Sequence, residues 1–122
     1  MLVSFFNEER TMDFLYCIQM YLPVKDRNGC PIDTKKFDQV AKQIVKKFGG
    51  LTTTSFWGNP VYDGFWKSPK TRRIVKDKTS IFTVLIPENQ ESRDFFLHKK
   101  KKWEQDLNYE QLLITIHQIQ SL

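Results

Sequence analysis

Hydrophobic and polar positions alternate along the first regular stretch of the chain, residues 12–22. A period of two residues is typical of a β-strand, and a strand with one fully apolar side packs that side against other elements. The opposite side is only about half polar, so we expect it to be partly covered as well, in a small protein by another subunit. The apolar side consists of Met12, Phe14, Tyr16, Ile18, Met20 and Leu22.

The next apolar positions recur at helical spacing and predict an amphipathic helix, since residues three and four apart share one helix face. They are Phe37, Val40, Ala41, Ile44, Val45 and Phe48. Asp33 or Thr34 is the expected N-cap of this helix. Gly49 is the expected end, because glycine readily adopts the left-handed conformation that terminates helices.

Two strands joined by a loop follow the helix. The first is predicted at residues 51–57, which are rich in β-branched and aromatic side chains. The second is predicted to begin between Arg72 and Thr79, and its most regular part is residues 80–86. Asn89 can cap a second helix, whose apolar spacing is interrupted by the lysine run 99–102. Asn108 ends this helix, and the alternation over residues 112–119 predicts a final strand.

The predicted order is strand, helix, strand, strand, helix, strand. This order is the βαββαβ pattern of ferredoxin-like α+β domains, in which two helices cover one face of a four-stranded antiparallel sheet. Residues 12–122 are expected to form this single domain, and residues 1–11 an N-terminal arm or an extra edge strand. Because the second faces of the strands are half apolar, we expect a homodimer that covers them. A dimeric α/β barrel is one such arrangement.

A short pattern adds a resemblance to this prediction. The run Phe48-Gly49-Gly50-Leu51-Thr52, followed by Gly64-Phe65-Trp66, resembles a pattern of small prokaryotic ferredoxin-like proteins of uncharacterised function. The resemblance covers about 20 positions, implies the same fold, and brings no active-site residues with it.

Composition places the 122-residue chain among globular proteins, with 40% hydrophobic and 27% charged residues. Its longest nearly uncharged run is too short for a membrane span, and acidic Glu8 and Glu9 follow the apolar first residues without a preceding basic segment. We therefore expect a cytoplasmic protein without a membrane partner. Cys17 and Cys30 are expected to be reduced thiols, since no Cys-x-x-Cys occurs.

Catalytic signatures are missing from the sequence. The segment 64–68 lacks the second glycine of a phosphate-binding loop, and neither a nucleophile elbow nor a zinc-protease motif occurs. His98 and His117 are the two histidines, and no convergent metal ligands or paired carboxylates can be assembled from the spacing. The sequence thus predicts no catalytic, cofactor or metal residues, and it favours a binding protein over an enzyme without settling the question.

The stretch 67–78 contains six basic residues and one acidic residue and has aromatic residues beside it, and the lysine run 99–102 adds a second basic segment. Basic and aromatic residues interleave in this way in proteins that bind single-stranded nucleic acid. A solvated lysine face beside a small aromatic core explains the pattern with fewer assumptions, because like-charge neighbours cost only about 0.2–0.5 kcal/mol per pair. The candidate anion-binding or nucleic-acid-binding residues are Lys67, Lys70, Arg72, Arg73, Lys76, Lys78, Trp57 and Trp66.

Three hypotheses follow from these patterns. The leading one is an interaction module that self-associates through the open face of its sheet. The second is nucleic-acid binding through the basic and aromatic hairpin of residues 57–78. The third is a small-ligand carrier or cofactor-free enzyme, whose pocket would be lined by Tyr16 and His117 together with Trp57 and Trp66.

Overall fold

The computed structural model describes residues 13–53 and 62–122, except for the side chains of Asp13, Tyr62 and Trp66. The predicted arm at residues 1–11, Met12 and Trp57 lie outside the described residues. Two helices and five strands follow one another along the described chain: β1 (Asp13–Pro23), α1 (Thr34–Phe48), β2 (Thr52–Thr53), β3 (Tyr62–Lys67), β4 (Ile74–Pro87), α2 (Gln90–Asp106) and β5 (Leu113–Ser121).

The strands form one open antiparallel sheet in the order β2-β4-β1-β5, and β3 also pairs with β4. β2 lies opposite Phe82 and Thr83, whereas β3 lies opposite the first part of β4, from Ile74 to Thr79. The prediction of four strands is therefore wrong by one strand for the described residues. Gly64 lies inside β3, where its pairing with Asp77 of β4 accommodates a glycine within a strand.

Both helices pack on the same face of the sheet and enclose the hydrophobic core. Phe48 at the end of α1 stacks against Phe96 of α2 at a ring separation of 5.6 Å, and it meets Phe95 edge to face at 5.1 Å. The fully buried Trp103 donates its indole N–H to Gln43 at 3.0 Å, which satisfies the one polar atom of that ring. The core thus joins α1, α2 and the inner residues of β1 and β4.

The ends of the helices follow the predicted chemistry. The Asp33 carboxylate accepts a hydrogen bond from the Lys35 backbone N–H at 3.0 Å, and the Asn89 side chain accepts one from Ser92 N–H at 2.8 Å. Gly49 ends α1 in the left-handed region, with a φ of 90°. These contacts satisfy backbone groups that a helix end would otherwise leave without partners.

The second face of the sheet is opposite the helices, and we call it the open face. Leu15 of β1 lies on this face and is 3% exposed, whereas the other described side chains of the face are partly exposed. Leu113 is the most exposed of the apolar ones, at 54%. None of the described helices is long and apolar enough to cross a membrane. The open face consists of Leu15, Cys17, Gln19 and Tyr21 of β1, Ile81, Thr83 and Leu85 of β4, and Leu113, Thr115 and His117 of β5.

Candidate functional site

A groove of about 770 Å³ lies at one end of the open face, and we call it the sheet-end groove. Three parts of the chain form it: the end of β1 with the loop after it, the β3–β4 hairpin, and the loop between α2 and β5. Its volume is in the range of small-molecule pockets, about 300–1,000 Å³. Among the residues that line it are Tyr21, Asp77, Thr79, Ile81, Tyr109 and Leu113.

The loop after β1 is held in place by Asp26. One carboxylate oxygen of Asp26 accepts hydrogen bonds from the backbone N–H groups of Asn28 and Cys30, at 2.8 and 3.0 Å. The other oxygen accepts one from the side-chain amide of Asn108 at 3.2 Å. The hydrogen bond from Cys30, followed by that from Asn108, lowers the pKa of Asp26. Asp26 is therefore ionised, and its carboxylate fixes the loop after β1 to Asn108 instead of serving as a proton donor.

A second set of contacts joins the same loop to the segment after α2. The Arg27 backbone N–H donates to the Asn108 carbonyl at 2.9 Å, and its guanidinium donates to the Tyr109 carbonyl. The buried Tyr109 hydroxyl donates to the Pro23 carbonyl. Burial, reinforced by the nearby carboxylates of Asp77 and Asp26, raises the pKa of Tyr109 far above its usual range. Tyr109 is therefore protonated in the folded protein at neutral pH, and it forms part of the groove wall.

Two polar side chains of β4 face the groove from the same side of the strand, Asp77 and Thr79. Burial raises the pKa of the Asp77 carboxyl, against the opposing effects of the Lys78 backbone N–H and the charge of Lys25. Thr79 is 6% exposed, and its Oγ1 has no hydrogen-bond partner among the residues that the structure describes. A buried hydroxyl without a partner is costly, and a ligand atom that reached it would offset that cost.

The other carboxylates around the groove are already occupied. Asp63 forms ion pairs with Lys78 at 3.0 Å and Lys76 at 4.0 Å, and Glu110 lies 3.6 Å from Lys70. Asp77 instead accepts a hydrogen bond from the backbone of Lys78, at 3.1 Å. A molecule that brings a cation or an N–H donor to Asp77 would offset the cost of keeping this carboxylate charged. Within the described part of the chain, no cluster of His, Cys, Asp and Glu is arranged to hold a metal ion.

The six predicted basic residues lie on the β3–β4 hairpin and its turn, where all of them are exposed. The structure brings Lys76 and Lys78 together around Asp63. Lys67, at the end of β3, also lines the sheet-end groove. Trp57 lies outside the described residues, and Trp66 is described by its backbone alone, which pairs with Val75.

The predicted pocket residues Tyr16 and His117 lie on opposite faces of the sheet. Tyr16 packs at the edge of the core, with the guanidinium of Arg93 5.7 Å from the centre of its ring. His117 is exposed on the open face, where it pairs with Cys17 of β1. One pocket cannot contain both side chains, and His117 is not among the residues that line the sheet-end groove.

Sequence reasoning missed Asp77, Thr79 and Tyr109 as groove residues. A signal for the first two was present, because positions 77, 79 and 81 share one side of a strand that starts as early as Ile74. The regular alternation that predicts this strand covers only residues 80–86. No local pattern marks Tyr109, whose hydroxyl meets a carbonyl 86 residues earlier in the chain.

Comparison with known proteins identifies a related fold but no family. No protein-family model matches the sequence, and no curated protein matches it. One similar solved structure is that of a phage SAM lyase in complex with S-methyl-5'-thioadenosine. It superimposes with a TM-score of 0.60 over 95% of this chain and 97% of that chain, at 10% sequence identity. At this identity the similarity concerns the fold alone.

Proposed function

We propose that this protein binds a nucleoside-sized small molecule in the sheet-end groove. The proposal rests on the position of two side chains, Thr79 and Asp77, on the same side of β4. The first has a buried hydroxyl without a partner in the described structure, and the second is a partly desolvated carboxylate. A few convergent polar groups within apolar walls are typical of small-ligand sites.

The chemistry of the groove favours a ligand with an apolar or aromatic body and a positively charged or N–H donor group. Ile81, Leu113 and the ring of Tyr21 supply contact area for the body of such a ligand. The carboxylate of Asp77 would accept from the donor, and the hydroxyl of Thr79 would donate to, or accept from, a neighbouring ligand atom. Tyr109 would keep the groove wall in position through its bond to Pro23.

The fold similarity to the phage SAM lyase supports a choice of first ligands. S-adenosylmethionine combines an adenosyl body with a positive sulfonium and an amino group, which are the features that the groove favours. S-methyl-5'-thioadenosine, the molecule bound in that neighbour, has the nucleoside body without the positive charge. The two ligands therefore separate recognition of the body from recognition of the charge.

The test is calorimetric titration of the purified protein with each ligand. Asp77→Asn is expected to weaken binding of S-adenosylmethionine about 10–100-fold, since a hydrogen bond to a charged group is worth about 1.5–3 kcal/mol. The same substitution should have little effect on the affinity for S-methyl-5'-thioadenosine, which carries no positive charge. Asp94→Asn is the matched control, because Asp94 is an exposed carboxylate on α2. Liquid chromatography of the same mixtures would detect cleavage of S-adenosylmethionine.

Two results would contradict this proposal. One is the absence of binding of either ligand at about 1 mM, a concentration that detects interactions of about −4 kcal/mol. The other is binding that Asp77→Asn and Asp94→Asn weaken equally, because the groove would then not be the site.

Self-association is the second candidate function, and the exposed Leu113 on the open face favours it. Exposed apolar surface of this kind marks interaction sites when it is continuous. We infer that β2 and β3 together replace the second strand of a ferredoxin-like pattern, whose open faces pair in a homodimer. The free thiols of Cys17 and Cys30 support the expected cytoplasmic location. Sedimentation velocity that shows only monomer at micromolar to millimolar concentration would refute the dimer.

A further inference from the structure

The β3–β4 hairpin, residues 62–79, contains most of the net charge of the protein. It has six Lys or Arg residues and two Asp residues, a net charge of +4, whereas the whole chain has +5. The rest of the chain is therefore nearly neutral. Because electrostatic attraction falls off within about 8–10 Å at physiological salt, charge that is concentrated on one element acts locally.

The hairpin extends past the end of the main sheet. The pairing of β4 with β1 ends at Thr79, and the residues of β4 before it, from Ile74 to Lys78, pair with β3. The tip is closed by hydrogen bonds between Ser68 and Arg73 at 2.8 Å and between Arg72 and Ser68 at 2.9 Å. The result is a two-stranded ribbon, which we call the basic ribbon, whose cations are exposed.

Apolar side chains are exposed on the same ribbon. Phe65 is 63% exposed and Ile74 is 78% exposed. The ammonium group of Lys76 lies 5.7 Å from the centre of the Phe65 ring, so an aromatic face and a cation adjoin each other. Arg72 and Arg73 have no ion-pair partner within residues 13–53 and 62–122, in contrast to Lys78 and Lys70.

We propose that the basic ribbon binds single-stranded nucleic acid. Arg72, Arg73 and Lys76 would contact phosphates, and a base would stack on Phe65, which is how many proteins hold single strands without sequence preference. The concentrated positive charge selects a polyanion, and the exposed ring beside a cation favours unpaired bases over duplex DNA or an acidic protein surface. Phe65 also lines the sheet-end groove, so the two proposed sites adjoin each other, but binding of nucleic acid does not require a ligand in the groove.

Fluorescence anisotropy with labelled single-stranded RNA and DNA oligonucleotides, measured over a series of salt concentrations, tests the proposal. The triple variant Arg72→Asn, Arg73→Gln and Lys76→Gln should weaken binding about 10–100-fold at low salt. It should also reduce the slope of log K against log salt by about 2, at about 0.7 per lost phosphate contact. Asparagine is chosen at position 72 because Arg72 has a φ of 63°, which asparagine tolerates. None of the three residues lines the sheet-end groove.

A matched control removes the same charge elsewhere. Lys42→Gln, Lys101→Gln and Lys102→Gln change three exposed lysines on α1 and α2. This variant should stay within about threefold of the original affinity, since the cations of the ribbon remain. Circular dichroism of both triple variants, recorded before the titrations, would confirm that each one folds.

A pair of single substitutions separates stacking from simple hydrophobic contact. Phe65→Ala should weaken binding of single strands about 5–100-fold, because stacking one base on an aromatic ring is worth about 1–3 kcal/mol. Ile74→Ala, on the neighbouring strand of the ribbon, should have little effect.

Three results would overturn the proposal. The first is no binding of any single strand at low salt, and the second is equal weakening by the two triple variants. The third is tighter binding to duplex DNA or to heparin than to single strands, with no effect of Phe65→Ala, because the ribbon would then act as a nonspecific cationic surface.

Discussion

Replacing Thr79 with valine is expected to stabilise the fold and to weaken ligand binding in the sheet-end groove. The Thr79 side chain is buried, and its hydroxyl has no partner among the described residues. A buried hydroxyl without a partner costs about 1–3 kcal/mol, and valine has nearly the same shape without that polar atom. We expect the free energy of unfolding to rise by about 1 kcal/mol. For a domain of this size the midpoint of thermal unfolding should then rise by about 3–5 °C.

The same substitution should weaken ligand binding, because the ligand would lose its contact with the hydroxyl. A lost hydrogen bond of about 0.5–1.5 kcal/mol corresponds to about a 2–10-fold change in Kd. Urea denaturation and calorimetric titration of the same preparation measure the two effects. The Thr79→Val variant should therefore be more stable and bind less tightly.

Thr115→Val provides the matched control. The Thr115 hydroxyl is also buried without a partner in the described part of the chain, but it lies on β5 away from the groove lining. This variant should gain similar stability and keep the affinity for the ligand. Destabilisation by Thr79→Val would refute the reasoning, since it would show that the hydroxyl is satisfied in solution. An equal loss of affinity in both variants would refute the assignment of Thr79 to the site.

Three further predictions concern stability. Tyr109→Phe should cost about 1 kcal/mol, because the hydroxyl donates to Pro23. Since burial raises the pKa of Tyr109 in the folded state, the unfolded chain loses this proton first above about pH 10. The advantage of the original protein over Tyr109→Phe in urea melts is thus present below that pH and should shrink above it; a constant difference up to pH 11 would contradict this. Burial also raises the pKa of Asp77, so its charge is unfavourable in the folded state at neutral pH. Asp77→Asn should therefore raise the midpoint of thermal unfolding at pH 7. The gain should vanish as the pH falls to about 4, where Asp77 of the original protein becomes protonated in the unfolded chain as well. A lower midpoint for the variant at pH 7 would contradict this prediction. Gly49→Ala should destabilise by about 1–2 kcal/mol because of its φ of 90°. Gly50→Ala should change the free energy of unfolding little in urea denaturation, since its added Cβ meets open space. Equal destabilisation by the two substitutions would show that the left-handed conformation of Gly49 is not the cause.

The two helices were predictable because their signals are local. The spacing from Phe37 to Phe48 determines which face of α1 is buried, and Gly49 marks its end through a conformation that other residues rarely adopt. The interrupted pattern of α2 was harder to interpret. Lys100 pairs with Glu104 four residues later at 2.7 Å, so the lysine run lies on a partly solvated side while Trp103 turns inward.

The number of strands and the groove were less predictable because they depend on distant pairing. Gly64 indicates a turn when its neighbours are considered alone, and only the opposite strand, with Asp77 as its partner, places it in a sheet. The groove wall joins Asp26 to Asn108, 82 residues further along the chain. Contacts at that separation leave no periodicity in either segment.

The contacts between the loop after β1 and the segment after α2 also constrain the order of events in folding. Arg27 and Asp26 meet Asn108 and Tyr109 across about two thirds of the chain. Closing so long a loop is entropically costly, so these contacts should form late, after the core around α1 and β4 has collapsed. During synthesis the groove cannot be completed until α2 and the segment after it have emerged from the ribosome. A bound ligand would therefore report that the whole domain has folded.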